Sequence, residues 1–310
     1  MPENKIPVFL VLGYLGSGKT TFINHFLQKN RHSMNIGLVQ NDFAPAGIDA
    51  EVLRISNPEQ LKILEINGGS VFCVCRIDSF IPSLTSYIQN TRPDILLVEA
   101  SGMSEPMSLA EILDAPSLRN QVYLGGIITL ADAGNLDKLA RVNLRVRDQL
   151  RIADLLLLNK TDRADNLQLI TCRKLMTELN PIAKIVETRF SDPFMDILNF
   201  FENRNQPTYL GTVPGKPAQP SGLSTAVIRS NRSMSKEGLE EFIHEWNERL
   251  IRMKGFVRMS GNKTLLLQLS PSGYNLTDVE NYQGPTQIIA IGESEPQPAE
   301  FSSSFRKFCL

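Results

Sequence analysis

An α/β fold is predicted: a mostly parallel sheet flanked by helices, organised around a phosphate-binding loop and followed by a smaller C-terminal α+β domain. Three observations carry this. Strand-like and helix-like stretches alternate through the first two hundred or so residues, the pattern of a parallel sheet covered by helices. The first strand–helix pair encloses Gly13-Tyr14-Leu15-Gly16-Ser17-Gly18-Lys19-Thr20, which fits G-x-x-x-x-G-K-[ST]. Composition then shifts at 205–222, a proline- and glycine-rich run without apolar period, so the chain divides into a domain at 1–204, a linker at 205–222 and a domain at 223–310.

Each element has its own reason. Ile6 to Leu12 is a short apolar run bounded by glycine, a buried strand rather than a secretory signal. Thr21-Phe22-Ile23-Asn24-His25-Phe26-Leu27 has helical spacing. Between them, glycines let backbone N–H groups turn toward an anion, and the helix N-terminus adds unpaired donors. Lys19 can reach β- and γ-phosphates, and the Thr20 hydroxyl can hold Mg²⁺. Asn35 to Val39 reads as a second strand, opening into a polar loop at 40–49 that contains Asp42. Leu61 to Ile66 reads as another strand, followed by Asn67-Gly68-Gly69-Ser70, the pair Cys73 and Cys75, and a helix over 77–88.

Asp94 to Glu99 is an apolar strand ending in a carboxylate, with Ala100-Ser101-Gly102 after it. Behind a phosphate loop this resembles a Walker B strand with a switch glycine, so Glu99 is expected near Mg²⁺ and the Gly102 N–H near the γ-phosphate. Gly126 to Asp132 and Ala153 to Leu158 read as further strands. The latter delivers Asn159-Lys160-Thr161-Asp162, an N-K-x-D element. Its carboxylate can accept from guanine N1–H and N2–H₂, whereas adenine presents a lone pair at N1. GTP is therefore expected over ATP, and a small-molecule kinase is disfavoured because it has no need to select guanine. The intact Lys19 and Thr20 likewise oppose a pure interaction module.

Ala183 to Val186 is a late strand, with a short helix near 194–201. Beyond the linker the reading is a strand at 223–229, a helix at 236–253, strands at 263–269 and 287–291, and a closing helix over 301–308.

The 310 residues carry a net charge of −1, from 32 basic and 33 acidic side chains, so no global field favours nucleic acid or an anionic membrane. No stretch approaches the roughly 20 apolar residues of a membrane span. Four cysteines argue against a disulfide framework and for a reducing, cytoplasmic setting. His25, His32 and His244 read as structural or solvated, and Cys172 and Cys309 as packing residues on helices.

Taken together, these motifs resemble the CobW-like P-loop GTPases, relatives of the nickel-handling UreG and HypB proteins. The resemblance covers nearly the whole chain: Gly13 to Thr21, Asn41-Asp42-Phe43 through Asp49, Glu99 to Gly102 with Glu105-Pro106, Asp132, Asn159 to Asp162, and Arg252-Met253-Lys254-Gly255-Phe256. It implies slow GTP hydrolysis that gates a metal chaperone or metalloenzyme maturation factor, with Mg²⁺ at the nucleotide and Zn²⁺ or Co²⁺ as cargo for a client protein. The implied nucleotide contacts are Gly13, Gly16, Ser17, Gly18, Lys19, Thr20, Thr21, Gly102, Asn159, Lys160 and Asp162. Thr20, Asp42 and Glu99 would face Mg²⁺.

The chain departs from the family at Asp42, where Glu is usual, and at Ala44, where Gly is usual. It departs further at the family's G-C-x-C-C. An ungapped fit puts Ser70, Val71, Phe72 and Cys73 there and keeps Arg76 and Asp78 in register; a shifted fit puts Cys73 and Cys75 on the first two cysteines. Cys73 and Cys75 are close enough to share a soft ion, and a helix start beside Arg76 would favour thiolate. Two thiolates fall short of a closed zinc site, so Asp42, Asp49, Glu51, a partner or water would complete it. The other reading is two buried small hydrophobes, which goes with a GTP switch that remodels a partner enzyme without carrying metal.

Overall fold

The computed structural model describes residues 5–42, 63–67, 74–100, 115–202, 224–250, 252–261, 263–270, 273–279, 282, 284–292 and 296–310; at 41–42, 65–67, 74–79, 225, 252 and 270 it describes the backbone. The chain divides into two compact units, Met1–Leu179 with Ala183–Thr208, and Asn180–Ile182 with Tyr209–Leu310.

The first unit holds strands β1 (Ile6–Gly13), β2 (Ile36–Asp42), β3 (Ile63–Asn67), β4 (Ile95–Glu99), β5 (Val122–Asp132), β6 (Leu155–Asn159) and β7 (Lys184–Glu187). They form one sheet in the order β3-β2-β4-β1-β5-β6-β7, with every neighbouring pair parallel. Its helices are α1 (Lys19–Asn30), α2 (Val74–Thr91), α3 (Leu136–Val142), α4 (Leu144–Ile152), α5 (Asn166–Leu179) and α6 (Ile197–Glu202).

Strands covered on both faces need continuous apolar runs, and β6 shows why. Leu155 and Leu157 join a core with Phe9, Phe22, Phe26 and Leu97, while Leu156 and Leu158 join another with Leu136, Val146, Leu150 and Met176. On one side α2 is tied to β2 by the Tyr87 hydroxyl, which accepts from the Leu38 N–H at 3.0 Å. The central strand β1 lies between β4 and β5. The chain fills one side of it with β2 to β4 and the other with β5 to β7. Such a reversal opens a crevice at the carboxyl ends of the strands, where ligands of open α/β sheets bind.

The second unit is a five-stranded antiparallel sheet, ordered β11-β10-β9-β12-β8, made of β8 (Ser224–Ser230), β9 (Arg252–Arg258), β10 (Thr264–Ser270), β11 (Gly273–Asp278) and β12 (Thr286–Gly292). Helices α7 (Lys236–Trp246) and α8 (Pro298–Lys307) pack Leu239, Phe242, Trp246, Phe301 and Phe305 against it. The Trp246 indole N–H donates to Ser304 Oγ at 2.9 Å, which satisfies its one polar atom in that core. Gly255 explains one residue of the C-terminal signature. A Cβ there would lie 2.6 Å from the Ile288 Cα on the neighbouring strand.

Several expectations are corrected. The helix expected over 236–253 stops at Trp246, with Asn247 as its cap, and the chain resumes as β9. Leu250 and Met253 keep helical spacing with the residues before them, yet Met253 is buried from a strand that pairs with both β10 and β12; tertiary pairing overrides the local pattern. Strands β9 and β11 and helices α3 and α4 had no counterpart in the expectation. The closing helix spans 298–307 rather than 301–308, so Cys309 follows it and bridges to Met234. Helix α2 begins at Val74, between the two cysteines rather than after them. The expected linker at 205–222 lies outside the described residues. Among those residues, no helix is long and apolar enough to cross a membrane.

Candidate nucleotide-binding site

The loop after β1 wraps into the N-terminus of α1, with the Ser17 N–H donating to the Tyr14 carbonyl at 3.1 Å. Gly13 has φ 145° and Gly18 φ 105°, conformations that L side chains rarely adopt. A Cβ on Gly13 would lie 2.5 Å from the Leu130 carbonyl oxygen, and one on Gly18 would collide with Ser191 Oγ and Asn159 Nδ2. The Lys19 ammonium, on a residue only 8% exposed, donates to the Gly13 carbonyl at 2.9 Å and approaches the Tyr14 carbonyl at 3.4 Å. It is thus held over the loop whose amides would receive phosphate. The Ser17 hydroxyl is buried there without a hydrogen-bond partner among the described residues. Gly16 lies in the turn that precedes α1, and Thr21 in the first turn of α1, exposed.

Glu99 closes β4 beside β1 and is buried. Its Oε1 accepts from the Thr20 hydroxyl at 3.4 Å, and its Oε2 from Gln40 Nε2 at 3.1 Å. Because Thr20 gives its hydrogen to a carboxylate, its oxygen lone pairs are left for a cation. The oxygens of Thr20 and Glu99 fit a hard divalent ion such as Mg²⁺.

Asn159, at the end of β6, is 1% exposed and joins three segments. Its Nδ2 donates to the Ser17 carbonyl at 2.9 Å and to Ser191 Oγ at 2.7 Å. Its Oδ1 accepts from the Ser191 N–H at 2.8 Å and the Thr188 hydroxyl at 3.0 Å. Ser191 Oγ in turn donates to the Gly18 carbonyl at 3.0 Å. The N-K-x-D asparagine therefore braces the phosphate loop against the loop after β7. Lys160, at φ 60°, pairs with Asp132 Oδ2 at 2.9 Å. Asp132 is further held by the Gly134 N–H and Asn135 Nδ2. Asp162 lies on a single 3₁₀ turn, Thr161–Arg163, its carboxylate part-exposed and 3.9 Å from Arg163 Nε.

The structure thus gathers Gly13 to Thr21, Glu99 and Asn159 to Asp162 at the carboxyl ends of β1, β4 and β6. Asp42 ends β2 and Cys75 sits in the first turn of α2, each described as backbone, while Gly102, Cys73, Asp49 and Glu51 lie outside the described residues. Among the described residues no group of three or more His, Cys, Asp or Glu could hold a metal ion. Cys172 is buried on α5, and burial first, then Asp137, pushes its thiol up; burial does the same to Cys309. Neither is poised as a thiolate, which fits packing.

Sequence reasoning missed Gln40, Thr188 and Ser191. Gln40 was placed in a loop, although β2 runs on through it in register with Glu65 and Glu99. Ser191 offers no motif at all, because its role rests on a left-handed backbone (φ 61°) that the residue type does not announce.

Comparison with known proteins agrees with this architecture. Residues 7–187 match the model described as "CobW/HypB/UreG, nucleotide-binding domain", and residues 223–309 the "Cobalamin synthesis protein cobW C-terminal domain". A zinc chaperone CobW from Sinorhizobium sp is 33% identical over 189 residues, covering 53% of this chain and 53% of that protein. The zinc-regulated GTPase metalloprotein activator 1 of Dictyostelium discoideum is 24% identical over 90% of this chain and 68% of its own length. The match to the Sinorhizobium protein therefore spans only about half of it. The fold is that of the crystal structure of Zn(II)-bound YjiA GTPase from E. coli, with a TM-score of 0.63 at 20% identity over 98% of this chain and 99% of that one. The chain belongs to the CobW/HypB/UreG family.

Proposed function

We propose that this protein binds and slowly hydrolyses GTP with Mg²⁺, and uses that cycle to deliver a thiophilic metal ion, zinc before cobalt, to a client metalloprotein in a reducing, cytoplasmic setting. The observation that carries the nucleotide part is the Asn159 brace. It fixes the guanine-reading loop and the phosphate loop as one body, through the Ser17 carbonyl and through Ser191 to the Gly18 carbonyl. The metal part rests on the names of the relatives, a zinc chaperone and a zinc-regulated GTPase metalloprotein activator.

Mechanistically, catalysis is positioning and charge neutralisation. Gly13, Gly16, Ser17 and Gly18 shape the loop whose amides receive the phosphates, with the N–H groups of Thr20 and Thr21 opening α1 beneath them. Lys19 exchanges the Gly13 carbonyl for β/γ-phosphate oxygens, trading a neutral acceptor for a charged one, a stronger bond by roughly twofold. Thr20 and Glu99, with Asp42 at the end of β2, would hold Mg²⁺, which would neutralise charge on the phosphate oxygens. Asp162 accepts from the guanine edge and Lys160 stays pinned beside it by Asp132. The Gly102 N–H reads the γ-phosphate. Cys73 and Cys75 lie on the chain between β3 and β4, both of which end at this crevice, so the cargo ion would sit within reach of the γ-phosphate sensors.

The departure of Ser70, Val71 and Phe72 from the family's cysteine motif favours one other reading, a GTP switch that acts on a partner without metal. The nucleotide assignment is tested by Asp162→Asn. Two hydrogen bonds to a charged group contribute roughly 1.5–3 kcal/mol each, so GTP should be preferred over ATP by at least about a hundredfold. The variant should lose that preference and gain xanthosine triphosphate, whose 2-oxo group accepts. Equal turnover of GTP and ATP by the parent protein would contradict the reading.

A further inference from the structure

Gln40 is an unusual occupant of its position. It follows Leu38 and Val39, both wholly buried, on a strand covered on both faces, and is itself 2% exposed. A third aliphatic side chain is what such a strand ordinarily carries. Its register partner across the β2–β4 pair is Glu99, and Nε2 donates to Glu99 Oε2 at 3.1 Å. A carboxylate can only accept, so the NH₂ end of the amide must face Glu99 and the carbonyl end must face away. That carbonyl oxygen, Oε1, is buried and has no hydrogen-bond partner among the described residues. Buried polar atoms are seldom left so, and a water or ion that completes the site is one of the few ways to satisfy such an atom.

The opposite oxygen of Glu99 takes the Thr20 hydroxyl hydrogen. The three side chains thus form a relay in which each hydrogen has one acceptor: Gln40 N–H to Glu99, Thr20 O–H to Glu99, and Thr20 oxygen left open. If Glu99 rotated, the Thr20 hydrogen would need another acceptor and its lone pairs would turn from the phosphate loop.

We propose that Gln40 is a positioning residue of the magnesium site: its amide N–H sets the Glu99 carboxylate toward Thr20, and its buried carbonyl accepts from a water beside the nucleotide's cation. The proposal rests on the nucleotide site described above and adds a residue outside every motif of that site. It predicts an effect on cation affinity that is separable from nucleotide affinity.

The test uses the full chain and Gln40→Met, which keeps length and removes both polar ends. A fluorescent GDP is bound, and its retention is titrated with Mg²⁺ and also measured in excess EDTA. Residues that orient metal ligands typically cost about 10–100-fold in metal affinity when lost. The half-saturating Mg²⁺ concentration should therefore rise by about tenfold or more, while affinity in EDTA stays within about twofold of the parent. In a Glu99→Gln background the same change should have little further effect, because Gln40 acts through Glu99. If Gln40→Met does not fold, Gln40→Glu replaces it. That variant keeps the shape, lacks the donor and sets a second charge against Glu99, so Mg²⁺ half-saturation must shift. Unchanged Mg²⁺ dependence in the folded variant overturns the proposal, as does an equal loss with and without Mg²⁺. A parent protein that holds GDP without responding to Mg²⁺ overturns the cation site itself, and with it the proposal; one that fails to bind GDP overturns the nucleotide assignment.

Discussion

Replacing Ser191 tests whether the brace between the two nucleotide loops is built as described. Its hydroxyl donates to the Gly18 carbonyl and accepts from Asn159 Nδ2, while its backbone sits at φ 61°. A buried neutral hydrogen bond contributes about 1 kcal/mol, so Ser191→Ala should lose about 2 kcal/mol. Ser191→Gly loses the same two bonds, but it also removes a left-handed conformation that costs a non-glycine residue about 1–2 kcal/mol. Glycine's greater freedom in the unfolded chain takes back about 0.5–1 kcal/mol. The glycine variant should therefore be about 0.5–1 kcal/mol more stable than the alanine variant and less stable than the parent. Urea unfolding of the nucleotide-free protein measures the order. Calorimetry with GDP should show both variants weakened by about tenfold, the equivalent of about 1.4 kcal/mol, because the Gly18 carbonyl is released in each. An alanine variant as stable as the parent, or a glycine variant below alanine, would refute the reasoning.

Lys19→Ala should weaken GTP by at least about a hundredfold with the fold retained, since a charge-assisted contact to phosphate contributes about 1.5–3 kcal/mol per bond; calorimetry alongside circular dichroism checks both halves. Gly255→Ala should destabilise the C-terminal unit by more than about 2 kcal/mol, because the new Cβ meets the backbone of β12 rather than a movable side chain; urea melts would show it. Tyr87→Phe leaves the Leu38 N–H without its acceptor and should cost about 1–3 kcal/mol. Burial raises the Tyr87 pKa above 10.0. The folded protein therefore keeps that proton longer than the unfolded chain, so stability is intact below pH 10.0 and falls above it; the phenylalanine variant should lack that part of the alkaline loss.

The sequence announced the site where chemistry is local. The phosphate loop and the Asn159 turn are continuous motifs whose glycines and side chains need no distant partner to be recognised. The strands β1, β4 and β6 were equally legible, because a sheet covered on both faces demands long apolar runs. Legibility ended where the signal was ambiguous or non-local. Gln40-Asn41-Asp42 broke the apolar pattern of β2, so a strand was ended three residues early at the point where it carries the Glu99 partner. Helices α3 and α4 are short and separated by Asn143, whose side chain accepts from the Arg145 N–H and starts α4. Met253 suits a helix or a strand alike, and only the pairing of β9 with β10 and β12 decides. Ser191 meets Asn159 across 32 residues, through a backbone conformation its identity does not encode.

The central claim, that nucleotide gates a metal site, is tested most directly by the affinity for Zn²⁺ in two nucleotide states. Competition titrations against a chelating dye would compare protein loaded with a non-hydrolysable GTP analogue and with GDP, each with Mg²⁺. A γ-phosphate that draws in the segment carrying Cys73 and Cys75 should tighten Zn²⁺ by about 5–150-fold, and by linkage Zn²⁺ should tighten the GTP analogue by the same factor. Cys73→Ser with Cys75→Ser should abolish both effects. Equal Zn²⁺ affinity in the two states, or a double variant that binds as the parent does, would contradict the account and leave a GTP switch without metal cargo.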